Sequence, residues 1–377
     1  MALAAAAGAR FARAETPVAA PENVPPPVEL GMSLSDEQRA AGVSLLKRHV
    51  SVDVHCHPGG FFSNRLGFET PLTRSFGRPF EDKAILDLLA GNVSAGLFAG
   101  VSDVRLLEAT PTGIRSNREF APGEAWADYE SQLKELESFS SRRGLTRGTT
   151  AADVEKAHRQ HRTAAIFAVE GGDFIEDRLE RVHAAATAGV RAITLVHYHV
   201  NQIGDIQTQA PVHGGLTPLG KSIVVEMNRA GIVIDLAHAT FDVVKGVIGA
   251  STRPPMISHS NLATPTARHP RLLSVEHARL VTTAGGIIGA WPSGFGQSTF
   301  ADYIDSIQRL VDTVGVDHVA IGSDMDANYK PVLTNYRDWS LIPAALLARG
   351  MHESEVAKIL GGNFQRIFAA NVSGAQR

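Results

Sequence analysis

Eight short apolar runs mark this 377-residue chain, and six of them lead into motifs that carry metal-binding or acid/base side chains. The runs span 50–54, 96–101, 165–169, 191–196, 231–236, 255–258, 286–290 and 318–323. Six of them lead into His55-Cys56-His57, Glu170-Gly171-Gly172, His197, His238, Ser258-His259-Ser260 and Gly322-Ser323-Asp324. Most are rich in Val, Ile or Ala, and most gaps between them are long enough for a helix, the alternation of βαβ units in a parallel sheet. Near-continuous runs such as Ile232-Val233-Ile234 suit strands buried on both faces. The expected architecture is a single (β/α)8 TIM-type barrel. In such a barrel the carboxyl ends of all strands meet at one mouth, so the polar residues that follow the runs converge there.

Helix signals fill the gaps. Ser35 with Gln38 three residues on reads as a capping box, and Thr217-Pro218 as a cap followed by proline at the first helical position. Helices are expected over 176–188, 218–230, 277–284 and 303–314, each stopped by a glycine, and over 124–140 within a long excursion from 103 to 160. Residues 33–377 read as one barrel domain. Residues 1–32 read as a leader and a Pro-rich arm outside it. Ala12-Arg13-Ala14 resembles an export cleavage site, but no basic segment precedes the apolar stretch Met1–Ala9, so location stays open between exported and cytoplasmic. The net charge of −3 gives no reason to expect nucleic acid or an anionic membrane as partner. No apolar run reaches the length of a membrane span. The single cysteine, Cys56, excludes an intrachain disulfide.

His55 and His57 stand two apart at a strand end, so both side chains point the same way and Cys56 points away. An isolated His-x-His is ordinarily two loop histidines; the companion residues are what make this one a ligand pair. Glu170 follows four apolar residues, where a carboxylate is costly to bury unless cations neutralise it. A bridging position between two metals would do so; the bland alternative is a cap on the next helix. His238 and His259 are expected ligands of a second metal, with Asp235 and the flanking serines behind them. Asp324 is the expected general acid and base, Asp326 a helper or loop cap. His197, if it does not bind metal, can stabilise an oxyanion. His199, His213 and His269 read as structural or rim residues.

These residues resemble the membrane (renal) dipeptidase family, binuclear zinc dipeptidases among the amidohydrolase-like barrels. The resemblance rests on Asp53-Val54-His55, Val169-Glu170-Gly171-Gly172, Gly189 through His197, and Gly215-Leu216-Thr217-Pro218-Leu219-Gly220. It continues through Asn228-Arg229-Ala230-Gly231, Ile234 through His238, Ile257-Ser258-His259-Ser260-Asn261, His269-Pro270-Arg271, Gly322-Ser323-Asp324 and Gly362-Asn363-Phe364. It implies two zinc ions held by His55, Glu170, His238 and His259, with Glu170 bridging; ligation by His57 is expected from the His-x-His pair, a pattern normal in the wider amidohydrolase group. It implies His197 at the scissile carbonyl, Asp324 as proton carrier, and an arginine for the substrate's carboxylate, with Arg271 the better match and Arg268 the runner-up. It also implies a homodimer. The family normally carries His-x-Asp where this chain has His55-Cys56-His57, which raises the site's charge by one. It also normally has an aromatic and then Asp-Gly where Met325-Asp326-Ala327 stands.

The expected activity is hydrolysis of a dipeptide or dipeptide-like amide by a hydroxide bridging two metals, which such sites hold roughly 3.5–4 Å apart. Two alternatives stay open: an amidohydrolase acting on a specialised amide or lactone, and a non-catalytic metal-binding protein.

Overall fold

The computed structural model describes residues 28–63, 80–111 and 113–373. Its strands are β1 (Val52–Cys56), β2 (Ala95–Val101), β3 (Leu107–Thr110), β4 (Gly113–Ser116), β5 (Thr146–Arg147), β6 (Ala164–Glu170), β7 (Val190–Thr194), β8 (Val233–Asp235), β9 (Met256–Ser260), β10 (Ile287–Ala290) and β11 (Val319–Ile321). Eight of them pair in parallel in the order β2-β1-β11-β10-β9-β8-β7-β6, and a seven-residue pairing of β2 with β6 closes the ring. The expected barrel is therefore present, each expected strand displaced by no more than two residues at either end.

Alternate residues of the strands point inward. Val52, Val54, Leu97, Ala99, Ile166 and Met256 belong to one buried cluster. Phe364, Ile367 and Phe368, from the helix Asn363–Val372, complete that cluster. The same helix donates from Asn363 to Val319 O and from Asn371 to Pro254 O, so it seals the end of the barrel where the strands begin. All ligand chemistry is thereby left to the opposite mouth. Two glycines allow the interior to close at β9. A Cβ on either Gly289 or Gly322 would lie 1.8 Å from the Ser258 carbonyl oxygen, so this bend of β9 into the barrel requires glycine on both neighbours.

The capping signals translate as read, whereas the helix expected over 176–188 starts only at Glu180, because Glu176 lies in the left-handed region. Ser35 and Gln38 form the capping box of Asp36–Arg48, and Thr217 caps Pro218–Ala230, which ends on Gly231 in the left-handed region. The expected 103–160 excursion holds the helix Glu124–Arg142 and an unexpected antiparallel hairpin of β3 and β4. The end of the Pro-rich arm is seated on the barrel: Glu29 and Leu30 carbonyls accept from the backbone N–H groups of Phe300 and Ala301. They satisfy donors that the first turn of Phe300–Val314 leaves without an intrahelical partner. The proposed leader up to residue 27 lies outside the described residues. Among the described residues, no helix is long and apolar enough to cross a membrane.

Candidate metal centre

The site begins with an irregularity in β1. Its register against β2 shifts between Asp53 and Cys56. Asp53 accepts from the Ser323 backbone N–H at 2.9 Å and from the Tyr336 hydroxyl at 2.8 Å, tying β1 to the loop after β11. Beyond the shift, His55 and His57 both face the mouth, while Cys56 turns away and donates to Leu97 O. Burial pushes the Cys56 thiol well above its ordinary range, so it is a buried filler, as expected.

Glu170, at the end of β6, is the centre of the cluster. Its Oε1 lies 3.0 Å from His238 Nε2, 3.4 Å from His55 Nε2 and 3.5 Å from His259 Nε2. Its Oε2 lies 3.4 Å from His57 Nε2 and 3.5 Å from His197 Nε2. Burial alone would raise this carboxyl, but the surrounding histidines, His197 and His55 foremost, hold it well below the ordinary carboxylate range. It caps no helix, so the bland alternative fails: the short turn that follows starts from Gly172.

Asp324 closes the other side, with Oδ1 3.3 Å from His57 Nε2 and 3.9 Å from His55 Nε2. Its φ of 54° is unusual for a residue with a side chain, and its backbone N–H is held by the His55 carbonyl at 2.9 Å. His238 is likewise left-handed, at φ 67°. Such conformations persist where surrounding structure enforces them, and they gather at functional sites. Asp326 Oδ2 accepts from Gly59 N–H at 2.7 Å, the loop-holding role expected of it.

The donor set fits a divalent metal. Donors 2.0–2.1 Å from a tetrahedral cation stand about 3.3 Å from one another, the spacing seen around Glu170. The Nε2 atoms of His55 and His57 are buried without a hydrogen-bond partner among the described residues. Their other nitrogens are oriented: His57 Nδ1–H donates to Ala99 O at 2.8 Å, and His55 Nδ1 lies 3.2 Å from Ser258 Oγ. Burial, with Arg271 and neighbouring histidines, keeps His238 and His259 well below the usual imidazole range, hence neutral as ligation requires. His57 behaves oppositely. Burial opposes its charge, yet Asp324 and Glu170 draw it up to about 10, so the acids on that side call for a positive charge where a cation would replace a proton.

His197 sits on the same mouth, and its partner was missed from the sequence. Its Nδ1–H donates to Asp103 Oδ1 at 2.7 Å, and Asp103 Oδ2 accepts from the Tyr198 backbone N–H at 3.0 Å. Asp103 is fully buried. Burial works against the charged imidazole, but Asp103 and Glu170 outweigh it and raise His197 above its ordinary value. The Asp103 contact fixes the tautomer that presents Nε2 to the cavity. Asp103 follows the β2 run by two residues, so the strand-end rule that found the histidines could have found it. Replacing it (Asp103→Asn) should lower kcat by about 10–100-fold, the usual cost of losing such an orienting partner; steady-state kinetics beside an unchanged metal content would check this. His199, His213 and His269 prove structural, held by Asp173 and Glu119, by Asn201 O, and by stacking on Phe295 respectively.

Arg271 lines the same cavity as the acids. It is 1% exposed, and its Nη1–H donates to Gln207 Oε1 at 2.8 Å. Arg268 is exposed at the surface, so the geometry favours Arg271 as the anion anchor. The cavity between Arg271, the Glu170 cluster and two apolar walls opens to solvent, and its free space, that opening included, is about 590 Å³. Phe62, Val101, Leu107 and Ile114 line one, and Trp291, Phe295 and Tyr329 the other.

A closed eight-stranded α/β barrel with a buried histidine–carboxylate cluster at its carboxyl mouth is a barrel of the metal-centre type. The sequence matches the membrane dipeptidase family (peptidase family M19) over residues 44–376, and the chain belongs to that family. It is 33% identical over 239 residues to dipeptidase verJ of Clonostachys rogersoniana, covering 62% of this chain and 61% of that protein. It is 29% identical to dipeptidase tcpJ of Claviceps purpurea, covering 62% of this chain and 56% of that protein. The alignments thus span about three fifths of these relatives' lengths. The fold is similar to that of dipeptidase AC, an M19 metallopeptidase, with a TM-score of 0.72 at 20% identity over 87% of this chain and 99% of that one. It is also similar to a metallopeptidase from Rhodobacter sphaeroides solved with a phosphinate mimic of the dipeptide L-Ala-D-Ala. There the TM-score is 0.71 at 19% identity, over 86% of this chain and 99% of that one.

Proposed function

We propose that this protein is a zinc-dependent dipeptidase that hydrolyses the amide bond of dipeptides or dipeptide-like compounds. The observation that carries the proposal is the placement of five imidazole Nε2 atoms within 3.5 Å of one buried carboxylate, Glu170. Asp324 stands beside them, and Arg271 lines the same cavity. His55 and His57 would hold one ion, His238 and His259 the other, with Glu170 shared. When bound, the ions supply an acidified water as nucleophile and polarise the scissile carbonyl. Arg271 binds the substrate's free carboxylate through its fork of N–H donors. His197, as the imidazolium that Asp103 stabilises through Nδ1–H, donates from Nε2 to the carbonyl oxygen as it gains negative charge. Asp324 takes the proton from water and delivers it to the nitrogen as the C–N bond breaks, leaving one acid and one free amine. The domain reading, one barrel from residue 33 onward behind a leader, and a homodimeric assembly belong to the same proposal.

A specialised amide or lactone is the second reading. It is favoured by the apolar wall of Phe62, Val101, Leu107 and Ile114: among the described residues lining the cavity, Glu170 and Asp324 are the only acids available to a substrate's ammonium group. The test is hydrolysis of a panel of L,L and L,D dipeptides by metal-free protein before and after adding back zinc. Zinc-dependent cleavage is expected. Silence across the panel by protein with two metals bound would move the assignment to the second reading.

A further inference from the structure

The two faces of the β3–β4 hairpin differ in chemistry. In its antiparallel register Leu107 stands opposite Ser116 and Ala109 opposite Ile114, while Glu108 stands opposite Arg115. Residues directly opposite share a face, and faces alternate along each strand. Leu107, Ala109 and Ile114 therefore lie on one face and Glu108 and Arg115 on the other, where Arg115 Nε–H donates to Glu108 Oε1 at 2.8 Å. That ion pair is open to solvent, whereas Leu107, buried, and Ile114, half-buried, line the cavity. Among the described residues the two strands pair with each other and with no strand of the barrel. Their placement at the mouth therefore depends on what fastens the flanking chain.

The chain leaving β4 is fastened to the barrel at Glu119. Its side chain is exposed, yet Oε2 lies 2.9 Å from His199 Nε2, and His199 Nδ1 lies 2.6 Å from Oδ1 of the buried Asp173. The Phe120 ring meets the same imidazole edge-on at 5.7 Å, and Gly123 N–H donates to Glu176 Oε1 at 3.2 Å. Burial opposes a charge on His199, but Asp173 and Glu119 draw it up to about 9, so an imidazolium is clamped between two carboxylates. With one partner exposed, such a pair adds little to global stability; what it fixes is where the segment sits.

Strand order indicates which end of a substrate meets the hairpin. In the ring β2 and β9 are four strands apart in either direction, so the excursion after β2 and the loop after β9, which carries Arg271, rise from opposite points of the mouth. A substrate with its carboxylate on Arg271 turns its acyl residue toward the hairpin. We propose that Leu107 and Ile114 form a specificity-determining wall for a bulky apolar residue on the acyl side of the scissile bond, and that Glu119, through its hydrogen bond to His199, is the positioning residue that holds this wall in place. The assignment rests on the dipeptidase reading. A leucine or phenylalanine side chain there buries apolar surface of the wall that a glycine leaves in water.

The experiment is steady-state kinetics of the zinc-loaded protein on Gly-Ala, Leu-Ala and Phe-Ala, which share one leaving residue. Wild type should favour Leu-Ala and Phe-Ala over Gly-Ala by about tenfold or more in kcat/KM, the scale set by burying a few methylenes. Ile114→Ala should bring that preference close to parity while Gly-Ala turnover stays put. Glu119→Lys sets a second cation beside the His199 imidazolium and should do the same, with a melting temperature close to wild type. Glu119→Gln keeps an oxygen that accepts from His199 Nε2–H and should retain most of the preference. Equal cleavage of the panel by wild type, or a preference untouched by Ile114→Ala, would overturn the wall. So would a uniform loss in Ile114→Ala on all three substrates, which would make the hairpin a support of the metal centre instead. A preference that survives Glu119→Lys, or is lost equally in Glu119→Gln, would overturn the role given to Glu119. Each of these results leaves the dipeptidase reading standing, whereas silence of the wild-type protein on the whole panel would remove both.

Discussion

Glu170→Gln should abolish turnover and strip the protein of metal. Glu170 is the one side chain in contact with His55, His57, His197, His238 and His259 together. The substitution preserves its shape but removes the negative charge, so two cations would share a pocket whose remaining carboxylate is Asp324. The Gln amide would also direct an NH2 group at imidazole nitrogens that must accept a metal. Metal-assisted catalysis contributes several kcal/mol, and each 1.36 kcal/mol is tenfold, so activity should fall by at least about 10³-fold. Metal content by plasma emission spectrometry should drop from the two equivalents per chain proposed above to one or fewer. A Glu170→Gln protein that kept both metals and a tenth of its activity would refute the central position given to this residue. The fold should survive, because the Glu170 side chain is packed among site residues and the strand ladder of β6 runs through its backbone.

The same contrast between backbone and side chain explains what could be read from sequence. A barrel strand announces itself by a short apolar run, and its carboxyl end by the first polar residue after it; Glu170, His197, His238, His259 and Asp324 were all found that way. The shift in β1 was not readable, because register depends on how β1 meets β2 and leaves no pattern in Val52–Cys56. The β3–β4 hairpin was missed for a related reason: its strands are only four residues long, and just one of their residues, Leu107, is buried. Asp103 escaped notice although it obeys the strand-end rule, since a carboxylate that orients a histidine has the same sequence signature as a surface loop acid. The choice between Arg268 and Arg271 likewise required three dimensions: one side chain is exposed and the other is buried.

Asp324→Asn separates an enzyme from a metal-binding protein with the same pocket. Asp324 touches the cluster through Oδ1, 3.3 Å from His57 Nε2, while the Glu170 contacts to His238 and His259 do not involve it. Asparagine keeps the oxygen that can face a cation but cannot take a proton. Its backbone requirement is also met, since asparagine tolerates the left-handed φ of 54° better than most residues do. Metal content and thermal stability should therefore stay close to wild type, while kcat falls by about 10²–10⁴-fold, the range supplied by a positioned general acid and base. KM should change little, because Arg271 and the cavity walls are untouched. A purely binding protein gives a different result, with ligand affinity unaltered and no turnover to lose in either form. Loss of metal together with activity would instead make Asp324 chiefly a ligand, and the proton would then need another carrier. Asp326 is poorly placed for that work, its carboxylate being occupied by the Gly59 N–H at 2.7 Å. His197 is the nearer candidate, with Nε2 3.5 Å from Glu170 and Asp103 behind it to stabilise the imidazolium. The double variant Asp103→Asn, Asp324→Asn distinguishes the two arrangements. Multiplicative losses mean that Asp324 carries the proton while His197 serves the oxyanion; a loss no greater than that of Asp324→Asn alone means that the two residues act on the same step.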